Sequence, residues 1–410
     1  MPNTINAGDT AWVIVATALV MMMTAPALAL FYGGMVRRKN ILSTLNLSFI
    51  ALALISIQWI LWGYSLSFAP TIGGVIGNTK FFGLAGVVGE TPNADYAATI
   101  PHLAFCAFQM MFAIITPALI TGAFVERVRF KTFLLFILLW ATLVYDPVAH
   151  WVWGVGGMLR NLGALDFAGG TVVHVLAGFS ALAFAMVIRR RKDYGTATFE
   201  PSNIPYTIIG AGLLWMGWFG FNGGSALAAN GLAVTALVNT NTAAAATALV
   251  WMLLSWFDNK PSILGIVTGA VVGLVAITPA SGFVTPLAAI LIGAGAAPIS
   301  YYAIKFRQKT GLDESLDVWA CHGMGGAWGA IATGLFATKT INSAGADGLF
   351  YGNPKQLFIQ LVAVAASALF AFVMTFVLAK LLNSTLGLSV SENEESVGLD
   401  ISEHGERAYA

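Results

Sequence analysis

The sequence predicts an all-α polytopic membrane protein, and three observations predict it. Charged residues number 39 of 410 (20 Lys+Arg and 19 Asp+Glu, 10%), against about 25% in ordinary soluble domains. Hydrophobic residues make up 58% of the chain and gather into runs of about 20 residues, the length of a bilayer-spanning helix. The basic residues fall between those runs, on one side of the predicted membrane. The same numbers exclude disorder, which needs low hydrophobicity and high charge. A net charge of +1 without a basic patch excludes nucleic-acid binding as the main task.

Eleven spans are expected, at about 11–35, 41–68, 102–125, 132–151, 168–188, 203–222, 231–256, 261–279, 284–304, 316–337 and 355–383. The weakest are 261–279 and 284–304, separated by Thr278-Pro279-Ala280-Ser281-Gly282; together they are too long for one crossing. Basic residues follow helix 1 (Arg37, Arg38, Lys39), helix 3 (Arg127, Arg129, Lys131), helix 5 (Arg189, Arg190, Arg191, Lys192) and helix 9 (Lys305, Arg307, Lys309). With Lys260, Lys380 and Arg407 they outnumber Lys80, Arg160, Lys339 and Lys355 on the other side by 16 to 4. The positive-inside rule then places the N-terminus outside and the C-terminus in the cytoplasm. Residues 1–10 carry no positive charge and the next apolar run exceeds a signal core, so no signal peptide is expected.

A weak internal repeat pairs Phe31-Tyr32-Gly33-Gly34 with Phe221-Asn222-Gly223-Gly224, and Leu165-Asp166-Phe167…His174 with Leu316-Asp317-Val318…His322. Both pairs lie five helices apart, and an odd offset implies inverted topology, with halves of about 1–195 and 200–340 plus an eleventh helix. The transmembrane domain is read as 1–390. Residues 391–410 hold six acids against Arg407, and form either a solvated tail or a cytoplasmic docking element.

Ionisable residues inside a membrane point to function. His174 and His322 sit well inside equivalent helices, where a twofold axis would bring them together; two imidazoles can share one hydrogen bond. Separate packing histidines are the alternative. Asp166 and Asp317 precede helix bodies, where capping competes with a cation-attracting role. Asp166 falls at the outer mouth and Asp317 on the inner side. Asp146 adds an acid near the outer end of helix 4, either attracting cations or facing solvent. Glu126 and Arg127 read as an inner ion pair.

The aromatic residues Phe108, Phe112, Trp151, Trp153, Phe219 and Phe221, with Ser225 beside them, form either an interface belt or a cation site. Cys106 and Cys321 read as packing residues. No metal site, cofactor or enzymatic chemistry is expected; Gly323-Met324-Gly325-Gly326 lacks the lysine of a nucleotide-binding loop.

Long motifs then resemble the ammonium transporters of the Amt/Mep/Rh family, on the Amt side. They are Gly8-Asp9-Thr10-Ala11-Trp12, the run from Ala29 to Asn40, Ala149-His150-Trp151-Val152-Trp153-Gly154, Leu165 to His174, Gly217 to Ser225, and Val397-Gly398-Leu399-Asp400. The resemblance covers nearly the whole chain. It implies a homotrimer of eleven-helix protomers in the cytoplasmic membrane, carrying ammonium or ammonia, with methylammonium as a further substrate. It assigns Phe112, Trp153 and Ser225 to outer recruitment, with Asp166 organising that site. It makes Phe112 and Phe221 the gate, His174 and His322 the pore lining, and Phe31 its inner end. The inner face becomes a docking surface for trimeric PII-type signalling proteins. An ammonium sensor acting through the tail, and a carrier of another organic cation, are the competing functions.

Overall fold

Long apolar runs become long helices. The computed structural model describes residues 4–409, and eight of its helices are long and apolar enough to cross a membrane. They are α1 (Ala7–Met35), α2 (Arg38–Phe68), α3 (His102–Ala123), α4 (Phe130–Leu162), α6 (Ile204–Gly224), α7 (Gly231–Asp258), α9 (Pro286–Thr310) and α11 (Pro354–Thr385). Three shorter helices complete the bundle: α5 (Gly170–Ala185), α8 (Ile263–Ile277) and α10 (319–336). The break at Thr278-Pro279 is real: tight turns, with the amides of Ala280 and Phe283 donating to Ile277 and Ala280, separate α8 from α9.

Local chemistry sets the helix ends. Asn6, Asn203, Asn230, Ser262 and Thr285 accept amide hydrogens in the first turns of α1, α6, α7, α8 and α9. Two short antiparallel hairpins, β1 (Thr71–Ile72) with β2 (Ile76–Gly77) and β3 (Pro92–Asn93) with β4 (Ala97–Pro101), cover one end of the bundle. The basic clusters lie at loops of the other end, here termed the basic face.

Helices α5 and α10 open with widened turns, Gly170–Val175 and Trp319–Met324, which hold His174 and His322. Such turns recur at functional sites because they re-aim side chains. The two helices touch backbone to backbone. A Cβ on Gly178 would lie 2.0 Å from the Gly323 nitrogen, so only glycine permits this crossing.

On the basic face the expected Glu126–Arg127 pair does not form. Glu126 instead pairs with Arg37 (3.0 Å) and Arg191 (2.8 Å), and Arg127 with Asp313 (3.7 Å), which also holds Arg191 (2.6 Å). Mutual neutralisation permits their burial. Asp146 does not face solvent: it is fully buried and accepts from the Gln58 amide at 2.7 Å.

The C-terminal segment folds back onto the basic face. Ser391 caps α12 (Glu392–Val397), and α13 (Leu399–Ser402) follows. Glu395 accepts from Arg189 (2.7 Å) and the Lys192 amide (2.8 Å), while Lys39 donates to the Glu395 carbonyl (2.8 Å). The Ser43 amide donates to Asp400, and the Leu399 amide to the Asn40 side chain. Glu395 and Asp400 are 1% and 2% exposed, so two of the six acids are interior contacts, while Glu392 and Glu406 stay exposed. Gly398 has φ +103°, and a Cβ there would strike Lys39 at 2.5 Å.

Candidate functional site

Between the two faces, three cavities follow one another through the bundle. The first opens near the hairpins, has a volume of about 530 Å³, and is lined by Phe112, Trp153, Asp166 and Ser225 among others. Each is held in place. The Trp153 indole N–H donates to the Asp166 carbonyl (3.0 Å), and Arg160 donates to the Trp153 carbonyl (2.6 Å). The Ser225 hydroxyl gives its hydrogen to the Phe221 carbonyl (2.8 Å), which leaves oxygen lone pairs free as acceptors.

Asp166 acts by capping. Its two carboxylate oxygens accept from the amides of Gly169 (2.8 Å), Gly170 (2.7 Å), Thr171 (2.8 Å) and Val172 (3.1 Å). Four of the orphan amides at the start of α5 are thereby satisfied, and the negative charge complements the helix dipole. Asp317 does not do the same for α10. Its carboxylate pairs with Arg307 (2.5 Å). The acid that accepts at the start of α10 is Glu314, from the Trp319 amide (2.7 Å). Glu314 precedes His322 by eight residues, as Asp166 precedes His174. The counterpart of Asp166 is therefore Glu314, and the pairing of Asp166 with Asp317 was one turn out of register.

The floor of this cavity is the Phe112–Phe221 pair, with ring centroids 4.4 Å apart and planes at 49°. Trp153 stands edge-on to Phe112 at 5.9 Å. Below Phe221 the His174 ring stacks at 5.9 Å, and a lumen of about 10 Å³ begins, walled by Phe31, Leu214, Trp218, Phe221, His174 and His322. That is room for about one water-sized molecule. His174 and His322 meet Nδ1 to Nδ1 at 3.2 Å, so one donates and the other accepts. Two imidazolium rings would set N–H against N–H, so the pair holds at most one charge. The buried His174 Nε2 has no partner. Below, Phe31 and His322 also wall a third cavity of about 560 Å³, toward the basic face.

The predicted residues thus separate into two groups: Phe112, Trp153, Ser225 and Asp166 around the upper cavity, and His174, His322 and Phe31 around the lumen, with Phe221 between. Trp151 is elsewhere, packed on Phe370 at 4.6 Å. Sequence reasoning missed Gln109, whose buried Oε1 is unpartnered beside the upper cavity. Its signal was present: a polar residue three before Phe112 shares that helix face. It also missed Trp218, stacked on His174 at 5.4 Å, which nothing distinguishes among twelve tryptophans.

Residues 11–409 match the model of the Ammonium Transporter Family. The chain belongs to the ammonium transporter family. It is 54% identical over 404 residues to an ammonium transporter of Bacillus subtilis (strain 168), covering 98% of each chain. Among solved structures, Mep2 of Candida albicans superposes with a TM-score of 0.90 at 37% identity, covering 99% of this ammonium transporter family member and 91% of Mep2. A structure described as a sensor Amt protein gives a TM-score of 0.88 at 29% identity, covering 97% and 98%. The Bacillus subtilis relative is named for transport and the sensor Amt protein for sensing, neither for an enzymatic reaction.

Proposed function

We propose that this chain moves ammonium across the cytoplasmic membrane by stripping a proton and passing ammonia through the lumen. The observation that carries this reading is the lumen itself: a one-molecule, largely apolar passage whose polar lining is the His174–His322 pair. A bare cation there loses its hydration without gaining a counter-charge, which costs many kcal/mol. Ammonium is an acid like a lysine ammonium, so neutralisation is accessible to it. Potassium has no proton to lose.

In this mechanism Phe112 and Trp153 attract the cation through their ring faces, worth about 0.5–2 kcal/mol each. Ser225 accepts one N–H. Asp166 acts through the α5 start and the Trp153 indole, since its own oxygens already accept four amides. Phe112 and Phe221 open as the gate, ammonia passes His174 and His322, and Phe31 borders the exit. The assembly in this reading is a homotrimer of eleven-span protomers with the N-terminus outside, inverted halves at 1–195 and 200–340, and a cytoplasmic tail at 391–410. Its basic face offers the docking surface for a PII-type protein. Methylammonium is a second substrate.

Proteoliposomes recording current and internal pH together test it. An inward ammonium gradient is expected to alkalinise the interior without current if the released proton stays outside, and to drive current with little alkalinisation if that proton also crosses; a potassium gradient is expected to do neither. No response to ammonium overturns the reading. The folded tail and the likeness to a sensor Amt protein favour a second reading, an ammonium sensor. Deleting 391–410 decides between them: a sensor loses the cellular ammonium response with flux intact, whereas a transporter braced by its tail loses flux.

A further inference from the structure

Beside the third cavity lies a pocket of about 280 Å³ on the basic face, and the two share Met35, Phe199, Gln308, Ser315, Leu316 and Asp317 in their walls. Glu314 lines this pocket. It is 1% exposed, and its Oε1 accepts the Trp319 amide while its Oε2 is buried with no hydrogen-bond partner. Its neighbours Glu126, Asp313 and Asp317 all pair with arginines. Among the described residues of this cluster, Glu314 alone makes no ion pair. Its counterpart Asp166 has both oxygens filled by amides; the matching helix start on the basic face leaves one carboxyl oxygen unfilled.

From this asymmetry we propose that Glu314 is the proton-exchanging carboxyl of the inner mouth, giving a proton to emerging ammonia and regaining one from the cytoplasm. The step balances. An O–H bond of the carboxylic acid breaks, an N–H bond forms, ammonium leaves, and the carboxylate takes up a solvent proton. The inference rests on the transport reading above.

The surroundings fit a carboxyl that is protonated at rest. Burial, reinforced by Asp317, pushes its pKa up to about 8, against the opposing pull of the Trp319 amide, Arg307 and the Val318 amide. Other ionisable groups around it are Glu126, Arg191 and Tyr194 in the pocket wall, Asp313 next to it in sequence, Tyr32 from α1 and Cys321 from α10. Asp313 is taken up by Arg127 and Arg191, and Tyr32 donates to the Leu119 carbonyl. The sign follows: the acid holds its proton below about pH 8 and loses the ability to donate as inner pH rises through that value.

Right-side-out membrane vesicles, loaded with buffers from mildly acidic to strongly alkaline pH and bathed at neutral pH, test this. The initial rate of ammonium uptake is taken as a ratio of variant to parent, which cancels the common driving force. Glu314→Gln keeps an acceptor for the Trp319 amide but cannot titrate. Its ratio is expected to be about one-tenth at neutral inner pH, a smaller loss than usual for a positioned acid because bulk water substitutes in part. The ratio should rise to one at inner pH well above 8, and Glu314→Asp should keep the parent's profile. A Glu314→Gln ratio independent of inner pH overturns the proposal. If that variant does not reach the membrane, infrared difference spectra of the parent decide. A carboxylic C=O band titrating near pH 8 and altered in Glu314→Asp supports it, and absence of such a band overturns it. A parent that moves no ammonium at any pH sinks the transport reading while leaving the infrared titration standing.

Discussion

Replacing His174 and His322 together with alanine is expected to lower ammonium flux by roughly ten- to a hundredfold and to erase discrimination against potassium. The two rings are the polar groups of a lumen of about 10 Å³, and they hold each other through one Nδ1–Nδ1 bond. A neutral ammonia molecule leaving water loses its hydrogen bonds. Each imidazole nitrogen that replaces one recovers about 0.5–1.5 kcal/mol, and 1.4 kcal/mol is tenfold in rate. Truncation removes both partners and also widens the passage, so hydrated ions no longer meet a one-molecule constriction. His174→Ala alone strands the Nδ1 of His322 without its partner, and so costs nearly as much as the double change. Ammonium and potassium fluxes in proteoliposomes measure both effects. Unchanged flux and unchanged selectivity in the double variant would refute the two-histidine passage.

The second large effect is on stability. Asp166→Ala removes the acceptor for four amides in one step. Each buried donor left unpaired costs about 1–3 kcal/mol, so a loss of about 4 kcal/mol is a lower estimate. Asp166→Asn is nearly isosteric, but its NH2 group must then face amides that are themselves donors, and the charge that complements the helix dipole is lost. Both variants are expected to melt well below the parent in detergent, Ala more than Asn. The Trp153 indole depends on the Asp166 carbonyl (3.0 Å), so Asn should also weaken ammonium half-saturation. An Asp166→Ala protein with the parent's melting temperature would refute the capping role.

The order and positions of the helices could be read from the sequence because hydrophobic runs and basic loops are written in composition. His174 and His322 could be read for the same reason: polar residues are scarce in apolar helices, and so each one is conspicuous. Where acids and arginines are dense, composition says nothing about partners. Glu126 chooses Arg37 and Arg191 over its neighbour Arg127, because loop geometry, not adjacency, sets the pairing. Glu314 was hidden for that reason among Asp313, Glu314 and Asp317. Its eight-residue spacing to His322 was the available clue, and the more obvious Leu-Asp match obscured it. In the tail, charge alone leaves a solvated segment and a docking element equally open, because it does not show that Glu395 and Asp400 meet basic side chains and backbone amides about 200–360 residues earlier.

That separation bears on how the protein is made. Glu395, Leu399 and Asp400 leave the ribosome 356, 359 and 357 residues after their partners Lys39, Asn40 and Ser43. Contacts so distant in sequence close last. Throughout synthesis the loops after α1, α3 and α5 therefore wait without the segment that will cover them. This face closes only once residues 391–410 have emerged, so deleting them is expected to leave the helices inserted and the basic face uncovered.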